Sequence, residues 1–241
     1  MVDLPGFDVE ELSPSVPFSK DTTFRCLIGR CEVIAENLVE EVLDHPLIDA
    51  TEVKRFRVLR RRAEHVTARH LLFHVLQRWQ VGSLSGIGIK RDENRAPHLI
   101  GWPDDQPPFI SICHTNGIAL VAVCSFPVGI DAEPRYAVRH SGLRYEIMSQ
   151  AEVEVLGDSA DEPEIINRVW TAKEAIQKAS GLGMKLVPAT IPLVNRLSTD
   201  LFSQMVRIQD PPITVHVMNW DDRHSSDSLI VAVALVEPNR I

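Results

Sequence analysis

Apolar residues recur along this 241-residue chain in two periods, and the periods alternate. Between Glu52 and Trp79 they fall at steps of three and four: Phe56, Leu59, Ala63 and Val66, then Leu72, Phe73, Leu76 and Trp79. That spacing predicts one long helix lying across a sheet. Ile118 to Val123 is instead a continuous apolar run with β-branched residues, resumed at Phe126 to Ile130, and predicts a hairpin of buried strands. A second helix is expected in the stretch Arg168 to Lys185. Ala172, Ala175 and Ala179 have high helix propensity, Gly181 stands where a C-cap belongs, and Gly183 frees the chain to turn. Leu229 to Val236 predicts a buried strand, with weaker strand-like runs at Leu186–Leu197 and Pro212–Trp220.

Between these, Phe24–Ile28 reads as a first strand and Ala35–Leu43 as a helix with Pro46 beyond its end. Gly82–Pro108 reads as extended loops with short strands. Ser149-x-x-Glu152 has the form of a capping box, and the acidic span Gly157–Pro163 is expected to be exposed. Residues 1–21, rich in Pro, Ser and acids, are expected to form a loose arm.

Composition adds bounds. With 44% hydrophobic and 24% charged residues the chain can bury a sizeable core. No stretch approaches a membrane span, and the first twenty residues lack the basic start and apolar core of a secretory signal, so a cytoplasmic protein is expected. Cys26, Cys31, Cys113 and Cys124 show no metal spacing and read as reduced, buried side chains. A formal charge of −8 argues against a nucleic-acid binder. Lys54, Arg55, Arg57, Arg60, Arg61 and Arg62 run the other way, and with Glu52 and Glu64 beside them they read best as a solvated face.

Two short segments carry the candidate chemistry. In Gly129–Glu133, GIDAE, the acids Asp131 and Glu133 are two apart, so on a strand both project to one face. Like charges so placed repel unless a cation compensates. Oxygen-only ligands favour Mg²⁺ over zinc. On the second helix Trp170, Glu174 and Lys178 form one stripe at i, i+4 and i+8. Glu174 and Lys178 taken alone fit either a solvated pair or a site.

GIDAE followed some forty residues later by W-x-x-K-E-A-x-x-K, which is Trp170, Lys173, Glu174, Ala175 and Lys178, resembles the signature pair of the 4'-phosphopantetheinyl transferases, of the Sfp type by length. Three further segments are similar to that family's. Arg62, Glu64 and Arg69 match its arginine and acid segment. Arg95-Ala96-Pro97 is similar to its glycine-basic-proline motif, with Asn94 in place of the glycine. Ile112-Cys113-His114-Thr115 is similar to its S-H-S segment.

The resemblance implies an α+β, pseudo-twofold duplicated fold, two halves each with a small antiparallel sheet packed by a long helix, at 1–127 and 128–241, and a ligand cleft between them. An internal echo agrees: Thr67 to Leu72 lines up with Thr171 to Ile176, and Val121-Ala122-Val123 with Val231-Ala232-Val233. It further implies transfer of the phosphopantetheine arm of coenzyme A to a serine of an acyl or peptidyl carrier protein. Asp131, Glu133 and Glu174 would hold Mg²⁺, or Mn²⁺ in its place. Glu174 would take the serine proton, and Lys178 would compensate the departing 3',5'-ADP. Arg69, Arg95, His114 and Lys173 would bind coenzyme A. A duplicated chain has less need of a second subunit, so a monomer is expected, with no nucleic-acid or membrane partner. The alternative is a non-catalytic coenzyme A-binding member of the same fold. Two basic patches compete for the carrier protein: Arg55 to Arg62, and Arg135, Arg139 and Arg144.

Overall fold

The computed structural model describes residues 4, 6–12, 24–80, 83–140, 142–193, 204–208, 213–220 and 229–237. The chain divides into two compact units. The first comprises Thr23–Asp92 and Pro97–Ser125 with the described residues before 13, and the second comprises Glu93–Ala96 and Phe126–Ile241.

The first unit contains β1 (Asp8–Glu11), β2 (Cys26–Glu32), α1 (Ala50–Arg55), α2 (Leu59–Trp79), β3 (Gly88–Arg91), β4 (Pro97–Ile100), β5 (Phe109–Thr115) and β6 (Ile118–Cys124). Its antiparallel sheet runs β1-β2-β6-β5. Leu71, Leu72, Val75 and Leu76 of α2 pack on Leu27, Val121 and Val123 of that sheet. Gly29 of β2 allows the close approach, since a Cβ there would lie 2.5 Å from Val75 Cγ2 and 3.1 Å from Leu71 Cδ1. All four cysteines are buried and none forms a disulfide, with Cys26 opposite Cys124 across β2 and β6.

Three expectations for this unit change. The helix predicted from Glu52 to Trp79 is two helices, because Phe56 and the N-cap Val58 are extended. Arg62 donates to the Phe56 and Lys54 carbonyls at 2.8 and 3.3 Å, satisfying the end of α1 from outside. Within the expected loose arm, Asp8–Glu11 pairs with Leu27–Arg30 as an edge strand. The remainder of that arm, apart from Leu4, Gly6, Phe7 and Leu12, lies outside the described residues. Glu36–Val42 is 3₁₀ rather than α-helical.

The second unit contains β7 (Val128–Pro134), α3 (Leu143–Ile147), α4 (Gln150–Leu156), α5 (Pro163–Ala179), β8 (Gln204–Ile208), β9 (Ile213–Asn219) and β10 (Leu229–Val236). Its antiparallel sheet runs β7-β10-β9-β8. The predicted hairpin of Ile118–Val123 with Phe126–Ile130 is not formed. β6 pairs with β2 and β5, whereas β7 pairs with β10, so the short interruption between the two runs separates two sheets. In α5, Pro163 occupies the first turn, where its missing N–H costs nothing, and Gly181 follows the helix end at φ +69°. Ala175, Ile176 and Ala179 pack with Val215, Val217, Ala232 and Ala234. Of the run Leu186–Leu197, the described part 186–193 is not a strand: Pro188–Thr190 is a 3₁₀ turn and Ile191 and Leu193 are buried, while 194–197 lie outside the described residues. Among the described residues, no helix is long and apolar enough to cross a membrane.

Candidate functional site

Strand alternation puts Gly129, Asp131 and Glu133 of β7 on one face. Gly129 sets the distance to α5. A Cβ there would overlap the Ala175 carbonyl oxygen and lie 2.6 Å from the Ala179 amide nitrogen, so only glycine lets the backbones meet this closely. That contact brings Lys178 Nζ to 3.0 Å from the Ile130 carbonyl and 2.7 Å from Asp131 Oδ1.

Asp131 is 5% exposed, and its second oxygen, Oδ2, is buried without a hydrogen-bond partner. Burial pushes its carboxyl up to about 7, and the negative charges of Glu174 and Glu133 push the same way, together outweighing the pull of the Lys178 ammonium. Glu133 is drawn off by Arg139, whose Nη2 lies 2.5 Å from Glu133 Oε2. Among the described residues, no three His, Cys, Asp or Glu side chains stand close enough to hold a metal ion as they are. The set fits a hard divalent cation in kind, having oxygen donors only and one buried oxygen unbonded. Lys178 and Arg139 are the charges that meet Asp131 and Glu133 in this arrangement.

Lys173 requires a correction. Its side chain and that of Glu152 are both 0% exposed, and its ammonium donates to Glu152 Oε2 at 2.7 Å and to the Ile147 carbonyl at 2.6 Å. Burial pulls the ammonium below its ordinary pKa, and Glu152 offsets part of that fall. The capping box at Ser149 and Glu152 is formed as the sequence predicts, and Glu152 also accepts from the Leu193 amide at 2.9 Å. A buried ammonium so engaged ties α5 to α4 and the end of α3, and leaves no face for a phosphate.

The other candidates divide between the units. Arg95 is exposed, has φ +68°, and belongs to the second unit. Asn94 anchors its segment by donating to the Gly181 carbonyl at 2.9 Å, just beyond α5. Asn94 replaces the glycine of the resembled motif, and this bond gives its side chain work. In the first unit Arg69 is 4% exposed with Nη1 unbonded, and burial pulls its pKa down to about 10. His114 Nδ1 lies 3.2 Å from Glu64, which also accepts from Arg60 and Arg61. His65, absent from the sequence reading, is held neutral by burial and by the charges of Arg69, Arg91 and His114, its pKa lowered to about 4. The sequence resemblance singles out Glu64, Arg69 and His114 of this cluster, whereas His65 carries no signal of its own. Asp131, Glu133, Glu174 and Lys178 thus belong to the second unit, with Asp131 and Lys178 in direct contact, and Arg69 and His114 to the first.

Residues 127–234 match the family described as the 4'-phosphopantetheinyl transferase superfamily. The chain is 34% identical to enterobactin synthase component D of Salmonella austin over 134 residues, which is 50% of this chain and 48% of that protein. It is 31% identical to the protein of the same name from Salmonella typhi over 123 residues, with the same coverage. The chain thus spans about half the length of the curated relatives it matches.

Proposed function

From the match of residues 127–234 to the 4'-phosphopantetheinyl transferase superfamily, we propose that this chain transfers the 4'-phosphopantetheine arm of coenzyme A to a serine of an acyl or peptidyl carrier protein, with release of 3',5'-ADP. The observation that carries the reading is the β7–α5 junction. It sets a buried carboxylate with one unbonded oxygen beside two further acids and a lysine, inside the matched segment. Asp131, Glu133 and Glu174 would hold Mg²⁺, which when bound offsets the charge that develops as the phosphoanhydride breaks.

The chain's own groups account for the rest. Glu174 takes the proton of the carrier serine as its oxygen attacks the β-phosphorus. The bond to the leaving 3',5'-ADP breaks, and the Lys178 ammonium neutralises that group. Arg69 and His114, and Arg95 on its separate segment, bind coenzyme A phosphates by charge-assisted bonds. Lys173 and Glu152 hold α5 so that Glu174 and Lys178 keep their register. A duplicated architecture is part of the proposal. It is supported by Thr67 and Thr171, which each donate to a carbonyl one turn back at 2.7 Å, and by Gly29 and Gly129, which each admit the helix of their own unit.

The test is chromatographic detection of 3',5'-ADP from coenzyme A. Release that needs an apo carrier protein with its serine intact supports the reading. Release without a carrier, or with a serine-to-alanine carrier, shows a hydrolase instead.

A further inference from the structure

Five cations stand exposed around the corner between α1 and α2: Lys54, Arg55, Arg57, Arg60 and Arg61. In their midst Val58 is 58% exposed and Leu59 51%. Lys54 and Arg55 suit the last turn of α1 and Arg60 and Arg61 pair with Glu64, but local stability explains neither Arg57 nor the exposed Val58 and Leu59. Val58 is the N-cap of α2 and gives the helix no side-chain bond, where Ser, Thr, Asp or Asn would satisfy an open amide. The first turn of α2 holds no acid and carries Arg60 and Arg61 instead, so cations face the positive end of the helix dipole. Positions that break local rules without local compensation are expected where function requires them.

The corner is also braced. Arg62 of α2 reaches back across it to two carbonyls at the end of α1, those of Lys54 and Phe56. Arg60 and Arg61 donate to Glu64 at 3.2 and 3.3 Å, and Glu64 in turn meets His114. The basic ridge is therefore continuous with a candidate coenzyme A ligand in the same unit. The competing patch is spent internally: Arg135 pairs with Glu164, Arg139 with Glu133, and Arg144 with Asp161.

We propose that this corner is the docking surface for an acidic protein, with Val58 and Leu59 as its apolar anchor and the five cations as its rim. Resting on the transferase reading, that protein is the carrier whose serine is modified. An apolar centre within a charged rim is how protein interfaces are built. Nucleic acid would call for cations alone, and neither the two exposed aliphatic residues nor the overall charge of −8 serves it. Rim charges of this kind steer encounter and make it salt-dependent.

The test uses the full chain with coenzyme A and an acidic apo carrier protein. Arg55→Glu/Arg57→Glu should raise KM for the carrier by about thirtyfold at low salt, and Val58→Ser by about tenfold. The kcat at saturating carrier and the Kd for coenzyme A should stay within about twofold. Arg55→Lys/Arg57→Lys should behave as wild type, and the melting temperature of Val58→Ser should hold or rise. An unchanged carrier KM overturns the proposal. So does a coenzyme A Kd that weakens in step with the carrier KM. Loss of binding to a labelled nucleic-acid duplex in the glutamate variant, with carrier KM unmoved, assigns the corner to nucleic acid. A wild-type chain that modifies no carrier refutes the transferase reading itself, without reference to any variant.

Discussion

Removing the Lys173 ammonium should act on stability far more than on ligand affinity. In Lys173→Met the Glu152 carboxylate loses the cation at 2.7 Å while both side chains remain at zero exposure. Two neutral donors stay with it, the amides of Ser149 at 2.7 Å and Leu193 at 2.9 Å. Stripping one partner from a buried ion pair costs about 3–5 kcal/mol, because the other charge is left uncompensated. At about 2–4 °C per kcal/mol for a chain of this size, the melting temperature should fall by roughly 10 °C. Lys173→Met/Glu152→Gln removes both charges and should recover most of the loss, the coupling being read from a double-mutant cycle in urea. If Lys173→Met instead melts within about 1 kcal/mol of wild type while its Kd for coenzyme A rises tenfold, the lysine is a phosphate ligand and the structural account of it is wrong.

Gly129→Ala should push α5 off β7 and cost about 1–3 kcal/mol by overpacking. Because Glu174 and Lys178 ride on α5, kcat should drop by about a hundredfold, and an active variant would show that the close approach does not position them. Asp131→Asn should abolish transfer and melt no lower than wild type at pH 8, since a carboxyl raised from 3.8 to about 7 by folding costs stability progressively as pH rises between those values, and the full cost is present at pH 8; a large drop in melting temperature would contradict this. His45 and His65 are both pulled down to about 4, chiefly by burial, so between pH 6.5 and 4 the unfolded chain binds their protons more readily than the folded one. Stability should be full above pH 6.5 and fall with acid by up to about 1.4 kcal/mol per pH unit per proton; the alanine variants should flatten that slope in denaturant titrations. Placing a serine at the α2 N-cap, Val58→Ser, should raise stability by about 0.5–1 kcal/mol in the same assay.

Where a local rule governs, the sequence could be read directly. The glycine exit of α5, the capping box at Ser149 and Glu152, and the apolar strand ending at Val236 are each decided by a few neighbouring residues. Pairing of distant partners was not legible. The apolar runs before and after Ser125 have the same character, so nothing local told whether they pair with each other or with strands a hundred residues away. Periodicity carried smoothly through Phe56, because the bonds that break the helix come from Arg62 and leave the apolar spacing unchanged. Asp8–Glu11 looked too polar for a strand, which is what an edge position tolerates. At the candidate site the sequence named Asp131, Glu133, Glu174 and Lys178; the structure pairs Asp131 with Lys178 and Glu133 with Arg139, a partner no local rule pointed to. It misread Lys173, because the acid that buries it lies 21 residues upstream in a motif with its own local explanation.

The most direct test of the central claim is the intact mass of an apo carrier protein after incubation with this chain, coenzyme A and Mg²⁺, with an EDTA arm and the Asp131→Asn variant alongside. A gain of about 340 Da on the carrier, absent in EDTA and absent with the variant, is the predicted result. A gain that persists in EDTA would contradict the carboxylate metal site. No gain on any acyl or peptidyl carrier, from a chain that still binds coenzyme A, would contradict the transfer.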